Sequence, residues 1–289
     1  MKQFGIWTLE LILSDAFLLM CSMFLVIGLL EWVIPARKIP ARHYRFNLCY
    51  AFANIVLITA VTPLIAAGTT YAIRSVGPGL IDLRALGFDG TLGSFVAILV
   101  GTLVLDLFVY WEHRFVHANK VMWQQHLLHH SDEHMSVTTA ARQHVLDYLT
   151  LAVMVTVPMA ILFRLPPVNV AAVSLIPFAW QYLTHANIRL SFGPLWWLLA
   201  SPDYHRIHHS LKPEHIDRNF AGWFPIWDIV FGTAVVPRKG EYPSTGVAGV
   251  SVRTLAQAYL LPFAGWRRML AQRLNRPPPD GLNSVQVER

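Results

Sequence analysis

The sequence predicts an all-α integral membrane protein with about four to five transmembrane or hairpin helices and a cytoplasmic histidine-rich cap. Hydrophobic residues make up 54% of the 289 residues and charged residues only 14%, whereas soluble domains carry about 25% charged residues. The apolar residues come in long runs rather than in amphipathic patterns. The 13 histidines, in contrast, gather mainly in clusters outside the longest runs.

The first two apolar runs each predict a membrane helix. The run at 16–30 is flanked by Asp15 and Glu31, which we expect near the interfaces or facing the bundle. The N-terminus lacks a basic region and a small-residue cleavage site, so we expect an uncleaved anchor. The run at 46–73 is free of charge and long enough to span with tilt, and Pro63 within it predicts a kink or a helix pair.

The later runs predict one more span, a hairpin and a surface helix. A third run at 92–110 is interrupted by Asp106. The runs at 149–163 and 168–183 are separated only by "RLPP", which predicts a tight membrane hairpin. Each arm is shorter than the roughly 20 residues of a full crossing, so the sequence leaves open whether the hairpin spans. The segment 257–274 predicts an interfacial amphipathic helix, followed by a loose tail.

The charges of two short loops predict the orientation. The loop at 35–45 carries four basic residues and no acid, whereas the loop at 74–89 balances two arginines against two aspartates. The positive-inside rule places the first loop in the cytoplasm, and counting crossings puts the histidine clusters on that face. The C-terminal "QVER" shows no retrieval signal, and the compact chain leans towards a bacterial inner membrane rather than the endoplasmic reticulum. No basic–aromatic pattern indicates a nucleic-acid partner.

Three histidine clusters have the spacing of metal ligands on helices. One cluster has the i, i+4 spacing and two have i, i+3, i+4, so that the histidines of each cluster share a helix face. The eight residues are His113, His117, His126, His129, His130, His205, His208 and His209. They exceed what one four- to six-coordinate ion can use, so we predict two ions, with adjacent histidines able to address different ones. Imidazole binds iron, zinc, copper and nickel and does not select among them.

The remaining histidines need separate arguments, because a lone histidine is more often a core or surface residue than a ligand. His185 follows directly from the apolar hairpin, and we expect it as a ninth ligand. His144 is either a ligand or a residue that supports one. We expect His43 at the membrane interface, and His134 and His215 in loops rather than at the metals.

Two acidic residues are candidates to hold ligand histidines, since metal-bound imidazoles usually donate their second N–H to a carboxylate or carbonyl. Asp106 lies seven residues before His113, two turns back on the same helix face, and a carboxylate in an apolar run needs a partner. Asp228 is a similar candidate, for which a helix-cap or turn role is equally compatible.

The histidine motifs and their order resemble the fatty acid hydroxylase and sterol desaturase superfamily over roughly residues 95–235. The segments that carry the resemblance are "DLFVYWEHRFVH", "HLLHHS", "TTAARQH", "HRIHHS", "RNFAG" and "WDIVFGT". The eight clustered histidines fall in the three histidine boxes of that superfamily. His185 matches a further family histidine, set beside Asn187, and Asn219 matches a polar position after the third box.

The resemblance implies an integral membrane enzyme with a non-haem di-iron centre, which uses O2 to hydroxylate or desaturate an unactivated C–H of a fatty acyl, sterol or related lipid. Zinc can replace the two irons during purification. The lipid would come from the bilayer, and electrons from a separate donor, cytochrome b5-like or of the ferredoxin and reductase kind. The expected regions are an N-terminal transmembrane region (1–90), the catalytic domain (91–240), and an interfacial helix with a tail (241–289).

Two other function classes compete with this interpretation. A membrane zinc hydrolase would activate water on the metal, but the sequence lacks a His-Glu-x-x-His motif and has more histidines than such a site needs. A non-enzymatic haem or metal-handling protein would place haem ligands within the spans rather than at one face. The substrate, the choice between hydroxylation and desaturation, and the oligomeric state are left open by the sequence.

Overall fold

The computed structural model describes residues 15–77, 79–82, 90–164 and 167–274, and within them the chain is mostly helical with almost no strand. The α-helices are α1 (Asp15–Val33), α2 (Ala41–Val76), α3 (Gly90–Ala118), α4 (Lys120–His130), α5 (Val145–Leu151), α6 (Val157–Leu162), α7 (Pro167–His185), α8 (Pro202–His208), α9 (Ile226–Val230) and α10 (Leu255–Arg273). The all-α class is confirmed. The expected uncleaved N-terminus and the expected loose tail lie outside the described residues.

Three helical segments among the described residues are long and apolar enough to cross a membrane. They are α2, α3 and the continuous segment Val145–Leu162, while Leu18–Val33 is a shorter apolar helix. Large apolar side chains such as Phe52 and Leu64 are exposed on α2, as expected for a lipid-facing surface. The predicted membrane protein class is confirmed.

The first long span, α2, begins with a basic turn after a proline and continues as a long apolar stretch from Phe46. Pro40 precedes its first turn, and Gly77, with a φ of 100°, ends it by returning its N–H to the Ile73 carbonyl. Pro63 lies inside α2, which continues past it as one helix. The helix pair that Pro63 allowed as an alternative is therefore not formed.

The segment predicted as the first arm of a hairpin contains a wider helical turn. Residues Ala152–Thr156 form a π-helix between α5 and α6. Pro158 follows it, and because proline lacks an N–H and clashes with the carbonyl four residues earlier, it disfavours a regular α-turn here. The strand β2 (Phe163–Arg164) follows α6, and α7 is the next helix.

The two residues after α6 are tied to the segment after α2 by a short strand pairing. Strand β1 (Ile81–Asp82) runs parallel to β2 (Phe163–Arg164). Gly79, with a φ of 36°, passes so close to this strand that a Cβ atom would lie 2.4 Å from the backbone nitrogen of Arg164. Any larger residue would therefore force the two backbones apart.

The opposite end of the bundle is polar inside and carries the histidines. Glu31, at the end of α1, accepts hydrogen bonds from the backbone N–H groups of Val137 (2.7 Å) and Asn187 (2.8 Å). Its carboxylate therefore faces the bundle, one of the two placements expected for it. The Arg37 backbone N–H donates to the Asn187 side chain at 3.2 Å, so the basic 35–45 segment lies at this end too, although its residues 41–45 form the first turns of α2 rather than a loop.

The C-terminal helix α10 packs on α4 rather than lying apart from the site. Ala258 is fully buried against Leu128 of α4 and Tyr50 of α2, and the Trp266 indole donates to the Val121 carbonyl at 2.8 Å. The other face of α10 leaves Leu260 60% exposed, which suits the interfacial position expected for this helix.

Candidate metal centre

Two groups of converging histidines lie side by side among the residues that the structure describes. The five-histidine group consists of His113, His117, His126, His130 and His208, and the four-histidine group consists of His129, His185, His205 and His209. Within each group the ligand atoms lie within 4.8 Å of one another. All nine histidines that the sequence singled out as ligands are in these groups.

The local helix geometry explains how each segment serves the groups. Consecutive residues on a helix point about 100° apart, so His129 and His130 at the end of α4 enter different groups. His208 and His209 divide in the same way at the end of α8. His185 joins the four-histidine group from the last turn of α7.

Close contacts between ring nitrogens have the spacing expected around shared ions. His130 Nε2 lies 3.1 Å from Nε2 of both His117 and His208. His185 Nε2 lies 3.1 Å from Nε2 of both His129 and His205. Two nitrogens that each lie about 2.1 Å from one ion are separated by about 3.0–3.4 Å at octahedral or tetrahedral angles.

The second nitrogens of several ligands are held by oxygen atoms. His113 Nδ1 lies 3.0 Å from the Phe220 carbonyl, His208 Nδ1 lies 2.8 Å from the Arg218 carbonyl and His117 Nδ1 lies 3.2 Å from Asp217 Oδ1. In the four-histidine group, His185 Nδ1 contacts the Gln181 carbonyl at 2.7 Å. Because carbonyl and carboxylate oxygens can only accept, each of these Nδ1 atoms carries the proton.

This arrangement leaves the neutral rings with Nε2 lone pairs directed at one another. His117 and His208 both present a lone pair to His130 Nε2, which carries at most one proton and can donate to only one of them. In the four-histidine group, His205 Nδ1 and both ring nitrogens of His209 are buried without a hydrogen bond. Buried polar atoms are normally paired, so this donor set fits a cation at the centre of each group.

The burial of the clusters favours the neutral imidazoles that bind metals. Burial first, and neighbouring imidazoles second, hold the pKa of His129 and His130 well below the usual 6.5. The same causes lower the pKa of His205 and His209 well below that value. These rings therefore keep lone pairs available for an ion at neutral pH.

A cavity of about 260 Å³ opens beside the two groups. Its wall includes His113 and His126 from one group, and His129, His185 and His205 from the other. Towards the membrane part of the bundle it is lined by apolar residues of α3, α5, the π-helix and α7. These are Leu105, Val109, Leu151, Val155 and Phe178.

Two residues predicted to serve the ligands hold backbone groups instead. Asp106 accepts hydrogen bonds from the backbone N–H groups of Trp223 (2.9 Å) and Phe224 (2.7 Å), so it holds the loop before α9 rather than His113. His144 caps α5, where its Nδ1 accepts from the Leu146 N–H at 3.2 Å. It belongs to neither group, because its short side chain is committed to the start of a helix.

The other three candidates, Asp228, Asn219 and Asn187, hydrogen-bond to backbone groups rather than to ligand histidines. Asp228 is fully buried and accepts from the N–H groups of Phe220 (2.8 Å) and Ala221 (3.0 Å), which is the turn role that the sequence allowed. Asn219, with a φ of 56°, donates to the Tyr204 carbonyl at 3.0 Å. Asn219 therefore orients the neighbouring carbonyls of Arg218 and Phe220, which contact His208 and His113 respectively.

Asn187 joins the end of α7 to the basic loop rather than to a ligand. Its side chain donates to the Arg37 carbonyl at 2.6 Å and accepts from the Tyr242 hydroxyl at 3.1 Å. His43, His134 and His215 lie outside both histidine groups. His43 Nε2 is 3.2 Å from Asp132 Oδ1, and Nδ1 of the buried His215 is 3.0 Å from Ser210 Oγ.

Several residues at the site were missed by the sequence analysis. The Gln143 amide approaches His129 Nδ1 at 3.3 Å, and backbone carbonyls hold other ligands without leaving any trace in the sequence. Glu112 and Asp147 line the cavity. Glu112 had a signal that could have found it, because an acidic residue in an apolar helix indicates a functional position.

The fold and site together define an α-helical membrane protein with two adjoining sites that can hold metal ions. Residues 98–233, a little under half of the chain, match the model of the fatty acid hydroxylase family. The segment carries all nine histidines of the two groups, and the resemblance found in the motifs is confirmed.

The chain is similar to proteins whose names describe the oxidation of lipids. Alkylglycerol monooxygenase of Xenopus tropicalis is 39% identical over 137 residues, which is 47% of this chain and 30% of that protein. The enzyme of the same name from Homo sapiens is 39% identical over 132 residues, 45% of this chain and 29% of that protein. Ornithine lipid hydroxylase OlsE of Rhizobium tropici is 27% identical over 201 residues, 69% of this chain and 60% of that protein. The match thus covers less than a third of the first two relatives' length. No solved structure matches the chain significantly.

Proposed function

We propose that this chain is a membrane-bound non-haem di-iron oxygenase that hydroxylates or desaturates an unactivated C–H of a lipid. The observation that carries the proposal is the convergence of two buried histidine groups at the polar end of an apolar cavity. The names of the relatives support lipid hydroxylation in particular, since they include a monooxygenase and a lipid hydroxylase.

The nine imidazoles would hold two iron ions, one in each group. Bound iron would supply the O2 chemistry needed to attack an aliphatic C–H, which ordinary acid–base groups cannot do. The chain itself fixes the ligands: carbonyls of Phe220, Arg218 and Gln181 retain the Nδ1 protons and set the ring orientations. Partners of this kind usually change metal affinity about 10- to 100-fold when removed.

The cavity would position the lipid. Its volume of about 260 Å³ is slightly below the roughly 300–1,000 Å³ of ordinary ligand pockets, so it suits a segment of a lipid rather than a whole molecule. The apolar lining near Leu151 and Phe178 would keep water away from the alkyl chain. The rest of the lipid would stay in the bilayer.

We place the histidine end on the cytoplasmic side. The basic 35–45 loop lies at this end of the bundle, and the positive-inside rule applies to short loops of this kind. The bacterial inner membrane remains our preferred location. The region 91–240 would be the catalytic domain, and the region 1–90 would anchor it in the membrane. Within 241–289, α10 would cover α4.

Electrons would come from a separate donor, cytochrome b5-like or of the ferredoxin and reductase kind. The surface above the four-histidine group carries exposed Arg37 and Arg189, whose guanidinium carbons lie 5.0 and 4.9 Å from the Tyr242 ring centroid. Buried Arg206, next to His205 in the chain, lies under the same ring at 3.7 Å. A basic surface of this kind attracts an acidic protein donor.

The test is the metal content and reactivity of the full chain. Elemental mass spectrometry of anaerobically purified protein should find about two irons per chain, one for each histidine group. The optical spectrum should lack a Soret band, and addition of O2 and reductant should oxidise an alkyl lipid. A protein that binds no metal after anaerobic iron loading would overturn the proposal, as would an iron-loaded protein that oxidises none of the alkylglycerol, acyl and ornithine lipids offered.

A further inference from the structure

Two acidic side chains line the apolar cavity beside the histidine groups. Glu112, on α3, directly precedes His113, and Asp147 lies on α5. No lysine or arginine lies in the cavity wall formed by the described residues. An acidic side chain in such surroundings is costly unless it has a partner.

The carboxylate of Asp147 is held in place with one oxygen unused. Asp147 is 8% exposed, and its Oδ2 accepts from the His144 backbone N–H at 2.9 Å. Its buried Oδ1 has no hydrogen bond. The neighbouring Gln125 amide donates to Thr150 Oγ1 at 2.7 Å and also stabilises the Asp147 carboxylate, while His126 Nδ1 lies 4.0 Å from Asp147 Oδ1, beyond hydrogen-bond distance.

Glu112 is placed for binding rather than for folding. Within the described part of the chain the structure gives its side chain no hydrogen bond and no ion pair, and it lines the same cavity as Asp147. Glu112 directly precedes His113 of the five-histidine group, so a molecule bound to Glu112 would lie next to that group.

We propose that Glu112 and Asp147 form a subsite for a hydrogen-bond-donating group of the lipid, a hydroxyl or an ammonium, adjacent to the histidine groups. This rests on the proposed function and names a feature of its substrate. A donor bound here would hold the neighbouring methylene groups of the lipid beside the histidines. A phosphate or carboxylate would be repelled, because the wall offers acidic groups and no basic side chain to receive it.

The experiment measures binding without turnover. Matched amphiphiles with one hexadecyl chain, namely hexadecylamine, hexadecan-1-ol, hexadecyl methyl ether and hexadecanoate, are titrated into the anaerobic, detergent-solubilised full chain. Apparent Kd values come from the rise of Tm with probe concentration. We expect the amine or the alcohol to bind about tenfold more tightly than the methyl ether and hexadecanoate, the size of a hydrogen bond to a charged group.

Variants separate the subsite from general charge effects. Glu112→Gln keeps a hydrogen-bond acceptor and should weaken amine binding while retaining alcohol binding, whereas Glu112→Leu should weaken both. Glu214→Gln removes one negative charge at an exposed position and should leave every Kd unchanged. A preference for the amine that Glu112→Gln abolishes identifies an ammonium. A preference for the alcohol that only Glu112→Leu abolishes identifies a hydroxyl.

Equal binding of the four probes to the unmodified chain would overturn the subsite, as would a preference that survives in both Glu112 variants. These outcomes are distinct from failure of the proposed function. If the iron-loaded protein oxidises alkyl lipids without a head-group preference, the subsite is wrong and the function stands. If the preference is present and no lipid is oxidised, the subsite stands and the function is wrong.

Discussion

At the scale of single residues, the hydrogen bonds of the two ring nitrogens separate a histidine that can bind a metal from one that cannot. His209 has neither ring nitrogen in a hydrogen bond, although it is fully buried, whereas both nitrogens of His144 contact the backbone, at Leu146 N and Tyr259 O. The first pattern suits a ligand and the second suits a helix cap. Histidine spacing alone cannot distinguish these two environments.

We predict that His209→Ala lowers the bound metal from about two ions to about one per chain, because it removes one ligand of the four-histidine group. His144→Ala should keep both ions and lose about 0.5–2 kcal/mol of stability, the usual contribution of a helix cap. Elemental analysis and thermal unfolding measure the two effects. His134→Ala, outside both groups, is the control, and equal metal loss in His144→Ala would contradict the assignment.

Asn219 connects backbone conformation to ligand orientation. Its amide donates to the Tyr204 and Val235 carbonyls and accepts from the Val235 N–H, at a φ of 56° that favours glycine or asparagine. We predict that Asn219→Ala destabilises the protein by about 3 kcal/mol or more and weakens metal binding, since buried groups lose partners. Asn219→Gly should be about 1 kcal/mol less damaging, because it removes the strain. Equal Tm values for the two variants would show that the positive φ has no energetic role.

At the scale of elements, the site depends on several helices ending close together at the histidine end of the bundle. The last turns of α3, α4, α7 and α8 each deliver histidines, and the start of α5 delivers Asp147 to the same cavity. Carbonyls of the 218–220 turn then lock the rings from outside. Because α10 packs on α4, it supports the helix that contributes to both groups.

We predict that overpacking the α10–α4 contact disturbs the site from a distance. Ala258→Leu adds volume at a position that is 0% exposed, which usually costs about 1–3 kcal/mol, and it should also raise the metal dissociation constant by displacing α4. Ala256→Leu makes the same change at an exposed position of α10 and should be neutral. Thermal unfolding and metal titration provide the comparison, and unchanged metal affinity in a destabilised Ala258→Leu would separate α10 from the site.

At the scale of the whole molecule, one end of the helix bundle is polar and the other is tied by a short strand pair. The hydrogen-bonded network around Glu31 and Asn187 and the histidine groups lie at the first end, and Gly79 packs on β2 at the second. This polarity matches a membrane protein whose reactive site sits at one face of the bilayer, beside the apolar part of the bundle.

We predict that the histidine end faces the cytoplasm. In a chain with Cys21 and Cys49 replaced by Ser, a single cysteine at Lys239, an exposed position after α9, should react with an impermeant maleimide only in inverted inner-membrane vesicles. A single cysteine at exposed Ser75, at the far end of α2, should react only in spheroplasts. The reverse labelling pattern would show that the loop charges do not set the orientation.

Much of the fold and of the candidate site was predictable because both depend on local regularities. Long apolar runs make membrane helices whatever their partners, and the i, i+3, i+4 spacing of His126, His129 and His130 places their rings on adjoining faces of one helix. The missed features depend on residues distant in the chain. Asp106 reaches a loop 117 residues away, and no local pattern identifies which backbone N–H group a carboxylate will find.

The sequence by itself determined the helical membrane class, the resemblance to the fatty acid hydroxylase family and the nine histidines that converge. Their periodicity is a property of each helix alone, and the apolar composition leaves few alternatives to membrane helices. Only the tertiary structure decided the division into groups of five and four, the carbonyls that hold the rings, and the separation of His144 from the site. These depend on where helix ends and turns meet, because a hydrogen bond or a shared ion is sensitive to differences of a few tenths of an ångström that no single helix controls.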